Sequence, residues 1–305
     1  MEKHRKKLIK NAAVFDGHSS GLAHGKKIVI EDDLVTEITG DEVSEENFGE
    51  VFDGTGMVAM PGMTDAHVHM GCLFAKGEFP VDYATVLTVA KCKDALMAGF
   101  TTFRDAGSVS EGLKLAFDEG VLPGPRIYPC GAYISQTCGH GDSEYAHTYR
   151  DIQYRHPSST VLADGVPEII RAVREQFYRG ASHIKLMATE ILNRHEDIRL
   201  LFGTDMMITG PDYQVEQSED IRYYEKRFGT MRALRALTGT ANEVFALTTY
   251  QNPYPKGKIG VLEAGSYADL LLVDGDPTKS VLVLADTDHL RLIIKGGTVY
   301  KNTLC

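Results

Sequence analysis

A change of period in the hydrophobic pattern constrains this chain more than any other feature. Between Met60 and Leu237 short apolar runs alternate with amphipathic stretches, whereas the flanking segments carry only short runs broken by glycine-rich turns. VAMPGMTDAHVHM leads into the helical YATVLTVAKCKDALMAG. TTFRDA, a helix around LKLAFDEG, RIYPCGAYIS, the helix VPEIIRAVREQFYRG, HIKLMA, IRLLFGTD and the helical EDIRYYEKRFGTMRALRALTG continue the alternation. Such alternation is the signature of a parallel α/β sheet. At the ends, LIKNAAVF, KKIVIEDDLVTEIT and GEVFDGTGMVAM, and after Gly257 KIGVLEAG, ADLLLVDGDP and LRLIIKGGTVYKN, read as strands. Neither end has enough strands to bury a core alone, so the two are expected to pair into one small β-sandwich. The expected division is a composite sandwich from residues 1–58 and 255–305 and an α/β unit at 59–254.

About five βα units fit this middle segment, whereas a closed (β/α) barrel takes eight in about 250 residues. The shortfall has an address. Only twenty positions separate Lys185 from Asp205, fewer than the roughly 30 of a single βα unit. The expectation is an incomplete TIM-like barrel, either small and strained or an open sheet whose unpaired edges favour homo-oligomers or poor solubility.

Composition narrows the chemistry. The 305 residues carry 32 Lys+Arg against 42 Asp+Glu, a formal charge of −10, which opposes nucleic acid and anionic membrane surfaces and favours a small-molecule or dipeptide substrate. The basic start MEKHRKKLIK is followed by NAAVFDGHSSGLAHG, too polar for a signal peptide's apolar region, and no run approaches the roughly 20 apolar residues of a membrane helix. A cytoplasmic chain is expected. The five cysteines are odd in number and form no C-x-x-C pair, so they read as reduced thiols.

Five positions could carry chemistry. His67 and His69 are two apart on a strand-like run, so both imidazoles can point at one metal ion, or both can be solvated loop residues. Asp205 ends the run LLFGTD, where barrel enzymes place catalytic groups; it could bind a cation and accept a proton, or cap a turn. Lys185 sits among apolar neighbours in HIKLMAT. Burial would lower its pKa and let the amine add CO2 as a metal-binding carbamate, unless it merely snorkels at a strand edge. His140, between Gly139 and Gly141, could be turned into a cleft or be a plain turn residue. The run from Gly107 matches neither phosphate-loop spacing, so nucleotide binding is unsupported.

PGMTDAHVHMG, AGFTTFRDAG, IKLMAT, LFGTD and GSYADLLLVDGDP, in that order, resemble the metal-dependent amidohydrolase superfamily, in its imidazolonepropionase-like branch with Xaa-Pro dipeptidases. The resemblance extends to NPYPKGKIGVLEAG and IIKGGTVYKN. It implies a (β/α)8 barrel with a β-sandwich built from both chain ends. By residue, it implies His67 and His69 as strand-one ligands, Lys185 as a carboxylated bridging lysine and Asp205 as strand-eight ligand and proton shuttle. His140 corresponds to the substrate-contacting loop histidine. The superfamily adds two histidine ligands from strands five and six; here strands five to seven are lacking, and His195, in that junction, reads as a surface residue. The resemblance thus implies one divalent ion, zinc by preference, with the second site incomplete. Hydrolysis of an amide or peptide C–N bond follows, impaired by the missing ligands. The alternative is a catalytically inactive amidohydrolase fold serving as an interaction or structural protein.

Overall fold

The end segments fold mostly into short strands, as their sequence suggests. In this computed structural model, which describes residues 6–70, 81–107, 111–137, 139, 141–142, 160–187, 199–207 and 213–304, the N-terminal part forms β1 (Lys6–Lys10), β2 (Ala13–Val14), β3 (Lys27–Glu31), β4 (Leu34–Thr39), β5 (Glu50–Asp53) and β6 (Val58–Pro61). The middle follows with β7 (Met63–His69), α1 (Val81–Met97), β8 (Phe100–Asp105), α2 (Glu111–Asp118), β9 (Arg126–Tyr128), β10 (Tyr133–Ser135), β11 (Thr160–Leu162), α3 (Val166–Tyr178), β12 (Leu186–Met187) and β13 (Met206–Met207). Then come α4 (Tyr213–Phe228), α5 (Thr230–Leu237) and α6 (Gly239–Phe245), and finally β14 (Leu270–Val273), β15 (Leu290–Lys295) and β16 (Thr298–Asn302).

Strands from both ends make two sheets, ordered β4-β3-β1-β5 and β16-β15-β14-β6-β2. Ile9, Ile28 and Phe52 of the first share a core with Leu270, Leu272, Leu292 and Ile294 of the second. The run LLLV of β14 is buried throughout because it serves two cores. Leu270 and Leu272 face the first sheet, while Leu271 and Val273 join the larger cluster with Phe100 and Leu234, as strand alternation dictates. A bidentate pair crosses the same boundary: Arg126 Nε and Nη2 donate to Asp269 Oδ2 and Oδ1 at 2.7 and 3.2 Å, with the guanidinium 3.9 Å from the Tyr267 ring centroid.

Gly62 joins β6 to β7. A Cβ there would overlap the Thr101 side chain, and its backbone N–H donates to Asp269 O at 2.9 Å. Gly62→Ala should therefore cost about 1–3 kcal/mol through overpacking. Urea unfolding checks this, and a midpoint equal to that of wild type would contradict it.

The parallel strands lie in two sheets, β13-β7-β8-β9 and β11-β10-β12. Among the described residues no closed barrel forms. Several expected strands are shorter or broken. RIYPCGAYIS splits between the two sheets, because Gly131 adopts φ +69° and Ala132 N donates to Gln176 Oε1 at 2.9 Å on α3. In IRLLFGTD the described residues 199–205 form no strand, which appears only past their end at Met206–Met207, yet they run along β7 through Ala66 N to Phe202 O and Asp205 N to His67 O, both 2.8 Å. The last long helix breaks at Gly229, φ +80°. KIGVLEAG forms no strand, since Gly260 and Gly265 turn at positive φ. Cys92 and Cys130 are buried and form no disulfide. No described helix is long and apolar enough to cross a membrane.

Candidate metal centre

Alternation along β7 sends Asp65, His67 and His69 to the face opposite Val68, which packs with Phe103 in the main core. The 199–205 run can lie against this strand because Gly203 has no side chain; a Cβ there would come within 2.7 Å of His67 Cβ. Asp205 then turns with φ +56°, a left-handed conformation that aspartate tolerates better than most residues. The turn corrects the expectation that it ends a strand, and it aims the carboxylate at the histidines. Asp205 Oδ1 lies 3.3 Å from Nε2 of both His67 and His69.

Lys185 reaches the same point from the residue before β12, with Nζ 3.2 Å from His67 Nε2 and 2.9 Å from His69 Nε2. The structure thus brings together the four residues singled out as ligands: His67, His69, Lys185 and Asp205. His140 and His195 lie outside the described residues. His69 is buried, its side chain 5 % exposed, whereas Asp205 at 77 % faces solvent. Partial burial and the nearby Lys185 lower the pKa of His67, offset in part by Asp205, which favours the neutral imidazole a metal needs.

The donor set fits one divalent cation. Bonds of 2.0–2.1 Å in a tetrahedron separate neighbouring ligand atoms by about 3.4 Å, close to the 3.3 Å spacing of the carboxylate oxygen from each imidazole nitrogen. The ligand atoms of His67, His69 and Asp205 all lie within 4.8 Å of one another.

Behind the ligands sits a carboxylate that sequence reasoning missed. Asp65, fully buried, accepts at Oδ1 from the backbone N–H of His67 and Thr204 (3.1 and 3.3 Å) and at Oδ2 from Thr204 Oγ1 and Tyr213 OH (2.6 and 2.9 Å). It ties the histidine strand to the residue before Asp205 and to α4. Its one sequence signal is an acid inside the apolar run MTDAHV. Burial pushes its pKa up to about 6 against the pull of these hydrogen bonds. An unfolded aspartate titrates near 3.9, so between about pH 4 and 6 the native state holds more proton than the unfolded one, and this group makes stability fall as pH rises. The fall should be on the order of 2–3 kcal/mol, and Asp65→Asn should remove it. Urea midpoints of the metal-free protein from pH 4 to 7 check this; parallel wild-type and variant profiles would refute it.

His183 has a different task. Its Nε2 lies 3.0 Å from Asp105 O, and burial together with Arg104 pushes its pKa down to about 3. Arg104 donates to Ala66 O at 3.4 Å from the strand beside the histidines.

Residues 58–196 match the amidohydrolase family. Over 152 residues the chain is 34% identical to the ochratoxinase of Aspergillus niger, covering 43% of this chain and 31% of that protein. The chain therefore spans about a third of the length of that curated relative. A 5-methylthioadenosine/S-adenosylhomocysteine deaminase of Dictyoglomus turgidum is 31% identical over 70 residues, 23% of this chain and 16% of that one. Two solved structures share the fold: a crystal structure of an amidohydrolase (TM-score 0.83, 22% identity, 98% of this chain and 100% of that one) and a Xaa-Pro dipeptidase with bound methionine (TM-score 0.75, 21% identity, 97% and 100%).

Proposed function

We propose that this chain is a hydrolase acting on carbon–nitrogen bonds, a metal-dependent amidohydrolase that cleaves an amide or peptide bond of a small molecule or dipeptide. The observation that carries this reading is the convergence of His67, His69, Lys185 and Asp205, from three separate segments, at spacings that suit one cation. The amidohydrolase match over residues 58–196 supports the reaction class.

In this reading His67, His69 and Asp205 hold the ion, zinc by preference. The Lys185 amine adds CO2 with loss of a proton, and the resulting carbamate offers a further anionic oxygen. When bound, the ion polarises the scissile carbonyl and lowers the pKa of a water. Asp205 takes the proton from the attacking water and passes it to the leaving nitrogen; its solvent-facing carboxylate gives it access to both. Asp65 and Thr204 hold Asp205 and His67 in register while this happens. His140 is assigned to substrate contact, by resemblance alone.

The rest of the architecture follows the same reading: residues 1–58 and 255–305 form a β-sandwich and 59–254 an incomplete barrel. The core shared by the two end sheets supports the sandwich. Metal analysis combined with a screen of dipeptides and N-acyl amino acids tests the proposal. About one divalent ion per chain with turnover is expected. Absence of both would overturn it in favour of a non-catalytic module.

A further inference from the structure

At the start of the run that ends in Asp205, an open cavity of about 670 Å3 is lined by Arg199, Arg232 and Arg235, with Glu243 as its one acid. We infer that this cavity is a second ligand site that takes a small dianionic oxyanion, a phosphate or phosphate monoester, on its arginines.

The chain carries a formal charge of −10, yet this concave surface carries three guanidiniums against one carboxylate. Only Arg199 is paired, with Glu243 at 3.1 Å. Arg232 and Arg235 form no ion pair among the described residues. They are three apart on α5, so they share a face, where like charges oppose each other. Arg235 Nε is closed off from solvent and meets no acceptor, a costly state that leaves the guanidinium charge without a protein carboxylate beside it among the described residues. The planar guanidinium fork matches a phosphate by paired hydrogen bonds. Leu200, Phe228 and Met231 complete the wall and give an organic substituent an apolar rest.

The site lies apart from the metal centre but is linked to it. Phe202, midway along the 199–205 run, donates its N–H to Ala236 O at 3.1 Å on α5, so ordering α5 and Arg199 acts on the segment that carries Asp205.

Calorimetric titration of the full chain with inorganic phosphate and with phenyl phosphate, against chloride at equal ionic strength, tests the inference. Both anions should bind. Arg232→Gln with Arg235→Gln should weaken binding at least about tenfold, and Glu243→Gln should tighten it by releasing Arg199. Binding should survive His67→Ala, which separates this site from the metal centre. Tighter binding of phenyl phosphate assigns the ester; equal binding assigns free phosphate. No binding above the chloride control, or binding unchanged in the arginine double variant, overturns the proposal. If that double variant does not fold, the single Arg232→Gln, at an exposed position, must weaken binding or the proposal fails.

Discussion

Replacing His69 with alanine is expected to abolish metal binding and to lower amide hydrolysis by on the order of a thousandfold or more. His69 is the more informative of the two imidazoles because its side chain is 5 % exposed, against 46 % for His67. A buried ring cannot be replaced by a ligand recruited from solvent-exposed chain. The cost falls on two functions of one nitrogen: Nε2 is 3.3 Å from the Asp205 carboxylate and 2.9 Å from Lys185 Nζ, so its loss removes both a donor and the group that orients the other two. Elemental analysis after dialysis, with turnover measured on the same samples, checks the expectation. A variant that retains its metal and stays within threefold of wild-type turnover would contradict it.

Arg126→Met should destabilise the fold by about 3–5 kcal/mol, the range found when one member of a buried pair is removed. Asp269 is 3 % exposed, and of its present side-chain partners only the Gly296 N–H, at 2.6 Å, would remain. The methionine would fill much of the space and retain contact with the Tyr267 ring, so the loss reads out charge pairing rather than a cavity. Because Arg126 belongs to β9 and Asp269 directly precedes β14, the pair fastens the parallel sheet to the sheet built from the chain ends. Thermal and urea unfolding give the magnitude. A loss below about 1 kcal/mol would mean that solvent or a neighbouring base replaces the arginine.

The large-scale pattern was legible because it rests on periodicity. The alternation from Met60 onward and the short strands of the ends each correspond to a face that must be buried, and the two-residue spacing of His67 and His69 survives any error in strand boundaries. The run IRLLFGTD misled because Phe202 is buried, and Leu200 and Leu201 half-buried, without pairing as a strand. Phe202 packs in the core, while the glycine at 203 and the left-handed turn at Asp205 break the ladder. RIYPCGAYIS misled for a similar reason: apolar content persists across Gly131 while the chain crosses from one sheet to another. Three of the four Asp65 hydrogen bonds, from Thr204 and Tyr213, and the Arg126–Asp269 pair were invisible because their partners are more than a hundred positions away. No local pattern encodes such a meeting.

That distance carries a consequence for how the centre comes into being. Lys185 meets His67 across 118 positions, and Thr204 meets Asp65 across 139. A growing chain that has made its histidine pair still lacks the lysine and the aspartate, so an early fragment offers two imidazoles and nothing more. Any cation gripped by the full set would add a clasp between chain segments already joined by the Asp65 and β7 hydrogen bonds, and closing so long a loop gives that grip its greatest leverage on the unfolded state. Metal uptake would therefore report the completion of tertiary folding, and chelation would loosen the molecule first along the seam between β7 and the run that ends at Asp205.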